Sequence, residues 1–258
     1  MSDFPQRVDE AAGLRHSNKL PTDRFTTASG QLGDDSAAVR LQGVHALAAL
    51  ADEAPTRALR QTCIDALCAY LRRPDKPDLG DDPGPVDLRH AIIRLIREHL
   101  QGDAAVSWRD HDFDFTDVAF GSSASFQGAT FTGNRVSFTH ARFSGGEVSF
   151  EDATFSGSIV DFSHAIFSGG SICFTNAAFS SCEVNFEDAT FFGSRITFFD
   201  ATFSGSTVFF NATFSGHTII FEDAAFSGDR IGFNNASFID SQIEFEGGFG
   251  HSRCATGQ

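Results

Sequence analysis

The chain has 258 residues, with 34 Asp and Glu against 19 Lys and Arg, for a formal net charge of -15. That length suits one large domain or two small ones. An acidic surface argues against nucleic-acid or anionic-membrane binding, which would call for a basic patch.

The composition breaks sharply along the chain. Residues 1–111 hold 17 acidic and 14 basic side chains, whereas residues 112–246 hold 17 acidic and 4 basic. Every Leu, every Pro and both Lys lie at or before Leu100, and of 30 Phe only Phe4 and Phe25 precede residue 112. Two modules built by different rules are therefore expected, joined near residue 105. The start, MSDFPQRVDE, has no apolar run, so no signal peptide is read there, and no stretch is apolar enough to span a bilayer. A cytoplasmic location follows as an expectation. The five cysteines, Cys63, Cys68, Cys173, Cys182 and Cys254, fit no zinc spacing and read as reduced structural thiols. Cys63 and Cys68, five apart on a helix, are expected to splay around its axis.

Residues 1–22 read as a flexible N-terminus and residues 23–104 as a helical module. Four segments have helical character. Asp23–Leu32 is short and weakly patterned. Ser36–Glu53 sets Val39, Val44, Leu47 and Leu50 at three- and four-residue steps, with Asp35 or Ser36 as N-cap. Arg57–Arg72 aligns Leu59, Cys63, Leu67 and Tyr70, with Pro55 before it and Pro74 behind. Val86–Leu100 carries Leu88, Ile92, Ile93, Leu95 and Ile96. The intervening RRPDKPDLGDDPGPVD reads as a loop. Three or four short antiparallel helices would pack like a fragment of a HEAT or armadillo array, with no second copy to make a solenoid.

The second module, 112–249, is a strict repeat. From Phe126 the gaps between phenylalanines alternate 5 and 7, with one exception, the shorter gap from Phe210 to Phe214. The repeat unit is thus a 12-mer. Two residues before each 5-gap Phe stands Ala, as in Ala129, Ala141 and Ala153. Two before each 7-gap Phe stands Val or Ile, as in Val136, Val148 and Ile172. Such an i, i+2 pair points both side chains to one side of an extended backbone. The residues between are Ser, Thr, Asp, Glu, Asn and Arg, so they face water. Gly or Ser after the 5-gap Phe, as in Gly133, Gly157 and Ser181, allows the chain to turn with φ > 0.

Identical edges stack into parallel sheets, which gives a parallel β-helix. A winding of one unit would have too narrow a bore, so the expected turn is two units, with four Phe, two Ala and two Val or Ile inside. About five coils follow, roughly 25 Å long at the strand spacing. The missing residue near Asn211–Phe214 should kink the column locally without breaking it. The tail 250–258 reads as disordered.

On these motifs the chain resembles the bacterial pentapeptide-repeat proteins, whose unit is A-[D/N]-[L/F]-[S/T]-[G/N/R]. AIFSG (Ala165–Gly169) and ATFSG (Ala153–Gly157, Ala201–Gly205, Ala212–Gly216) match it closely, and VDFSH (Val160–His164) and VNFED (Val184–Asp188) loosely. The resemblance implies a right-handed quadrilateral β-helix. This chain departs from it in seldom having Asp or Asn at the middle polar position. It also inserts a dipeptide such as Gly170-Ser171 or Ser194-Arg195 after every second pentapeptide, which would bulge two corners. RFTTASGQLG (Arg24–Gly33) and AVRLQGVHALAALA (Ala38–Ala51) are similar to a helical segment found ahead of such repeats, without the transmembrane helices that often precede it. The fold class expected is thus α plus β solenoid: a small N-terminal helical bundle, then a quadrilateral parallel β-helix.

No phosphate loop, G-x-S-x-G or H-E-x-x-H occurs, so no catalytic residue, cofactor or metal site is assigned. A turn of two units would stack His140 on His164 and Asp152 on Asn176. A metal-binding ladder is one reading of that column; corner residues capping backbone groups as Asx turns is the favoured one. Phe192, Phe199 and Phe209 break the alternation and should be exposed within one coil, making them, with Asp152, Asp188, Asp200 and Asp223, the candidate partner surface. The expected function is a non-enzymatic scaffold or protein–protein interaction module. The alternative is an acidic nucleic-acid mimic that occupies a topoisomerase or another DNA-binding protein. An enzyme would need a deep polar pocket around Trp108, His111 and Asp112. The partners expected are an unidentified protein and a second copy docked through the last coil, near Glu244–Phe249, with no direct nucleic acid and no membrane span.

Overall fold

A computed structural model describes residues 21–73, 88–120, 124–144, 146–168, 170–192, 195–216, 218–227 and 230–244. The Pro- and Asp-rich stretch 74–87, the end of the last coil with the tail, and the first 20 residues lie outside the described residues, and with them the expected loop, disordered tail and flexible N-terminus. Among the described residues four helices precede the strands: α1 over 21–31, α2 Ala37–Asp52, α3 Arg57–Leu71 and α4 Leu88–Leu100. None of the described helices is long and apolar enough to cross a membrane.

The chain divides into two compact units, one holding α1, α2 and nearly all of α3, the other holding α4 and every described strand. In the first, α2 is entered through Ser36 in an extended conformation, as a helix N-cap requires. Its hydroxyl makes no cap bond; Asp34 Oδ1 instead accepts from the Ser36 N–H at 2.8 Å. Along α3 the buried residues are Cys63, Ile64, Leu67, Cys68 and Leu71, while Leu59 and Tyr70 are only half-buried. The two cysteines are therefore not splayed into different environments: a face formed at i, i+1, i+4 and i+5 is wide enough to bury both. Burial pushes the Cys63 thiol up to about 11.

The second unit is a parallel β-solenoid. Its 23 described strands fall into four sheets, giving five complete turns and three strands of another. The first sheet runs from Phe113–Asp114 to Arg230–Gly232, the second from Ala119–Phe120 to Ser237–Ile239, the third from Ala124–Ser125 to Gln242–Glu244, and the fourth from Thr130–Phe131 to Ala225–Ser227. The register fixes the turn at two repeat units: Phe131 pairs with Phe155, and Phe179 with Phe203. At the deleted position Phe191 pairs with Phe214 and Phe214 with Phe238, so the second sheet continues unbroken. The lost residue is absorbed at the corner before Ala212, where Asn211 is left with its side-chain oxygen buried and without a hydrogen bond.

The alternation reads through to the core. Ala129, Val136, Phe138, Ala141, Phe143, Val148 and Phe150 are all at most 2% exposed. Because successive turns carry Phe at the same site, the rings form columns: Phe143, Phe167 and Phe191 stack at 4.7 and 4.5 Å with interplanar angles of 3° and 2°. Columns at two opposite corners meet edge to face, as Phe138 and Phe150 do at 5.6 Å and 86°. Each such ring pair adds about 0.5–1.5 kcal/mol beyond area burial. One inward column escapes the hydrophobic pattern. Ser158, Cys182 and Ser206 are buried between the fourth and first sheets, where Ser158 Oγ donates to Gly133 O at 2.7 Å and Ser206 Oγ to Phe179 O at 3.0 Å. Small hydroxyls fit there because each donates to a backbone carbonyl of the turn before.

Glycine is required for two different reasons. Gly170 has φ of +77°, and a Cβ on it would lie 1.6 Å from Gly146 O. Gly133 lacks the positive φ expected of it and is needed for close approach alone, since its Cβ would lie 2.1 Å from His111 O. Cys63, Cys68 and Cys182 are free and buried. Cys173 is disulfide-bonded, which corrects the expectation of reduced thiols throughout.

Candidate functional site: corner ladders of the solenoid

The corners matter here because they carry Asp, Asn and His side chains at the same place on successive turns. The chain leaves the first and third sheets through two-residue turns, in which Ala N–H donates back to Phe C=O: Ala141 to Phe138 and Ala153 to Phe150. The residue before that Ala, or before Val118 on the first turn, has positive φ: Asp117, His140, His164 and Asp188 on one corner, and Asp152, Asn176, Asp200 and Asp223 on the other, at 52° to 62°. Asp, Asn and His tolerate this region better than other non-glycine residues. Their own N–H groups extend the sheet hydrogen bonding around the corner, His140 donating to Ser163 O at 3.0 Å and Asp152 to Thr175 O at 2.9 Å.

These residues are therefore turn-formers, but they are not the Asx caps that the spacing suggested. That work falls to the last strand residue, three positions earlier. Asp114 Oδ1 accepts from Thr116 N–H, Asp161 Oδ1 from Ser163 N–H and Asn185 Oδ1 from Glu187 N–H, at 2.9 to 3.1 Å. Burial alone would raise the Asp161 pKa. Hydrogen bonds from Ser163 through its hydroxyl and backbone, the Arg135 guanidinium at 2.7 Å and a further hydrogen bond from Thr139 outweigh that and hold it below the usual carboxylate range.

With the backbones so fixed, side chains of successive turns line up. Asn176 Nδ2 donates to Asp152 Oδ1 at 3.1 Å. The His140 and His164 rings stack at 4.9 Å and 12°. A carboxylate flanks each imidazole, Asp117 Oδ1 at 4.0 Å from His140 Nδ1 and Asp188 Oδ2 at 3.8 Å from His164 Nδ1. Asp117 was hidden in the sequence because the first sheet falls one position short of the full period there, Phe113 pairing with Val136 and Asp114 with Ser137. Among the described residues no group of three or more His, Cys, Asp or Glu converges on a single metal position.

The predicted partner residues do not form one patch. Phe192 is 62% exposed on the second sheet, where the equivalent residues of neighbouring turns are Ser168 and Ser215. Phe209 is half-buried on the first sheet, and Phe199 half-buried at the corner between the third and fourth. Of the acidic residues, Asp152, Asp200 and Asp223 share one corner, while Asp188 stands on the other. Ile166, 42% exposed, lies one turn below Thr190 and so diagonally beside Phe192; the alternation alone did not mark it.

Trp108, His111 and Asp112 do structural work at the start of the solenoid. Trp108 is fully buried and stacks on His99 at 4.0 Å and 20°. His111 is buried, with Asp110 Oδ1 at 2.8 Å. Asp112 Oδ1 accepts from the N–H groups of Asn134 and Arg135 at 2.7 and 3.1 Å. Helix α4 joins them: Arg89 donates to Ala119 O at 2.7 Å and Gln101 to Gln127 O at 3.0 Å, occupying carbonyls at the open start of the solenoid. No family model, curated protein or solved structure matches the chain.

Proposed function

We propose that this protein is a non-enzymatic scaffold, a protein–protein interaction module built on a solenoid of the pentapeptide-repeat type. The observation that carries the reading is Phe192, an aromatic ring exposed in a column where its neighbours are serine, with Ile166 beside it. A lone exposed side chain carries little, but two large apolar groups on a rigid sheet offer a preformed contact with little ordering cost. Arg142, exposed one turn below Ile166, supplies a polar rim. Affinity capture with the full chain and with a Phe192→Ser, Ile166→Ser variant tests this. A protein retained by the first and lost from the second is expected; identical captured sets contradict it.

A second reading, acidic mimicry of a nucleic acid, draws on Asp152, Asp200 and Asp223 aligned along one corner. The opposite corner interrupts its acids with two imidazoles, so a second charged edge is incomplete. A gyrase supercoiling assay unaffected by excess protein removes that reading. For self-association, Phe226 and Phe238 near the end of the described solenoid are 40% and 41% exposed, with Ile239 beside them at 51%, and a second copy stacked on this end would cover them. Light scattering at the monomer mass up to high concentration dismisses it. The free thiols of Cys63, Cys68 and Cys182 support a cytoplasmic location, and the Cys173 disulfide counts against it. Alkylation during lysis that finds Cys173 reduced supports the cytoplasm; Cys173 found blocked contradicts it.

A further inference from the structure

We propose that His140 and His164 form a chelating site for one divalent transition-metal ion, copper(II) ahead of nickel(II) and zinc(II). Both backbones have the same left-handed conformation, φ of 57° and 58°, so both side chains leave the corner in the same direction one turn apart. The side chains are 56% and 48% exposed, and the ring separation of 4.9 Å is set by the sheet. Metal–imidazole bonds of about 2.0–2.1 Å need two nitrogens about 3 Å apart in a cis pair. Exposed rings reach that spacing by tilting about their own side-chain torsions, with no change in the backbone.

The chemistry of the set also fits. Imidazole suits copper, nickel and zinc, and among divalent ions copper binds such donors most tightly. Asp117 and Asp188, one at each end of the row, stand beside the Nδ1 atoms, so that Nε2 of each ring is left to the metal and the carboxylates offset the ion's charge. The remaining coordination positions go to water, which accords with the absence, among the described residues, of a third converging protein ligand. Turn formation does not compete with binding, since the turn uses the backbone N–H of each histidine and the metal its side chain. Protons do compete, so binding weakens on acidification.

The test is Cu²⁺ titration of the full chain, followed by calorimetry and electron paramagnetic resonance. The variants are His140→Asn and His164→Asn. Asn already occupies the same turn position at Asn176 and Asn235, both with positive φ, so these variants keep the fold, which circular dichroism verifies. The expected result is a Cu²⁺ site with two-nitrogen coordination in the wild type, at least tenfold weaker in either variant. Asp117→Asn with Asp188→Asn should weaken it by a smaller factor. Other exposed imidazoles, such as His45, supply the weak background that remains throughout. An unchanged affinity and spectrum in the His140→Asn, His164→Asn double variant overturns the proposal.

Discussion

The helical unit and the solenoid bury apolar side chains by opposite strategies. In α2 and α3 the core is drawn from Val44, Leu47, Cys63, Ile64 and Leu67, each in a site used once. In the solenoid one site is used many times: Phe155, Phe179 and Phe203 stand in the same place on successive turns, stacked at 5.1 and 4.8 Å. A helical core is specified by shape, position by position. A stacked core is specified by register, so one motif repeated is enough, and each turn needs its neighbours to complete it. The end of the described solenoid shows this directly, since Phe238 is 41% exposed where Phe167, at the equivalent site three turns earlier, is fully buried.

The comparison breaks most readily inside the stack. Phe174→Asp puts an unpaired carboxylate among rings, and the solenoid's cooperative unfolding transition should be lost from a thermal melt. Phe162→Ala, at a fully buried ring, should cost about 3–5 kcal/mol, whereas Phe238→Ala near the end of the described solenoid should cost about 1 kcal/mol, as read by chemical denaturation. Equal costs would mean that turns do not depend on their neighbours. Gly133→Ala drives a Cβ against a backbone carbonyl and should cost about 1–3 kcal/mol.

Corner chemistry gives smaller effects. His164→Val places a β-branched residue at φ of 58° and should cost about 1–2 kcal/mol, while His164→Asn should be nearly neutral. Asp161 is held below its unfolded value, so its contribution is present above about pH 4 and is lost as pH falls through the lowered value. Asp161→Asn should therefore flatten acid denaturation slightly. In the helical unit the sign reverses. The Cys63 thiol, raised to about 11, stabilises fully below its unfolded value near 9 and loses that as pH rises through 11. A Cys63→Ser variant should remove that alkaline step from a pH-dependent melt.

Much of the solenoid was legible because period and burial are both carried by residue type. Phe at steps of 5 and 7 set the winding, and Ala or Val two residues before each Phe set the inward side. What stayed hidden depended on contacts that residue types do not announce. Ser158 and Ser206 look like surface residues until the backbone carbonyls they donate to are seen. Phe199 and Phe209 look like neighbours of Phe192 in the chain, yet the corners between them turn each to a different side. The acid–imidazole row was half visible: a turn of two units stacks His140 on His164, but Asp117 falls one position off that step. Grouping of α4 with the solenoid, through Arg89 and Gln101, had no motif to reveal it.

Cysteine pairing across turns tests the two-unit winding most directly. Thr154 and Ala178 are register partners on the outside of the fourth sheet, whereas Ile166, midway between them in the chain, belongs to the second. Oxidation of a Thr154→Cys, Ala178→Cys variant should give a disulfide between those two positions, mapped by mass spectrometry, because neighbouring strands place Cα atoms within disulfide reach. A Thr154→Cys, Ile166→Cys variant should give none. Efficient cross-linking of the pair one unit apart, with none for the pair two units apart, would contradict the winding and every stack built on it.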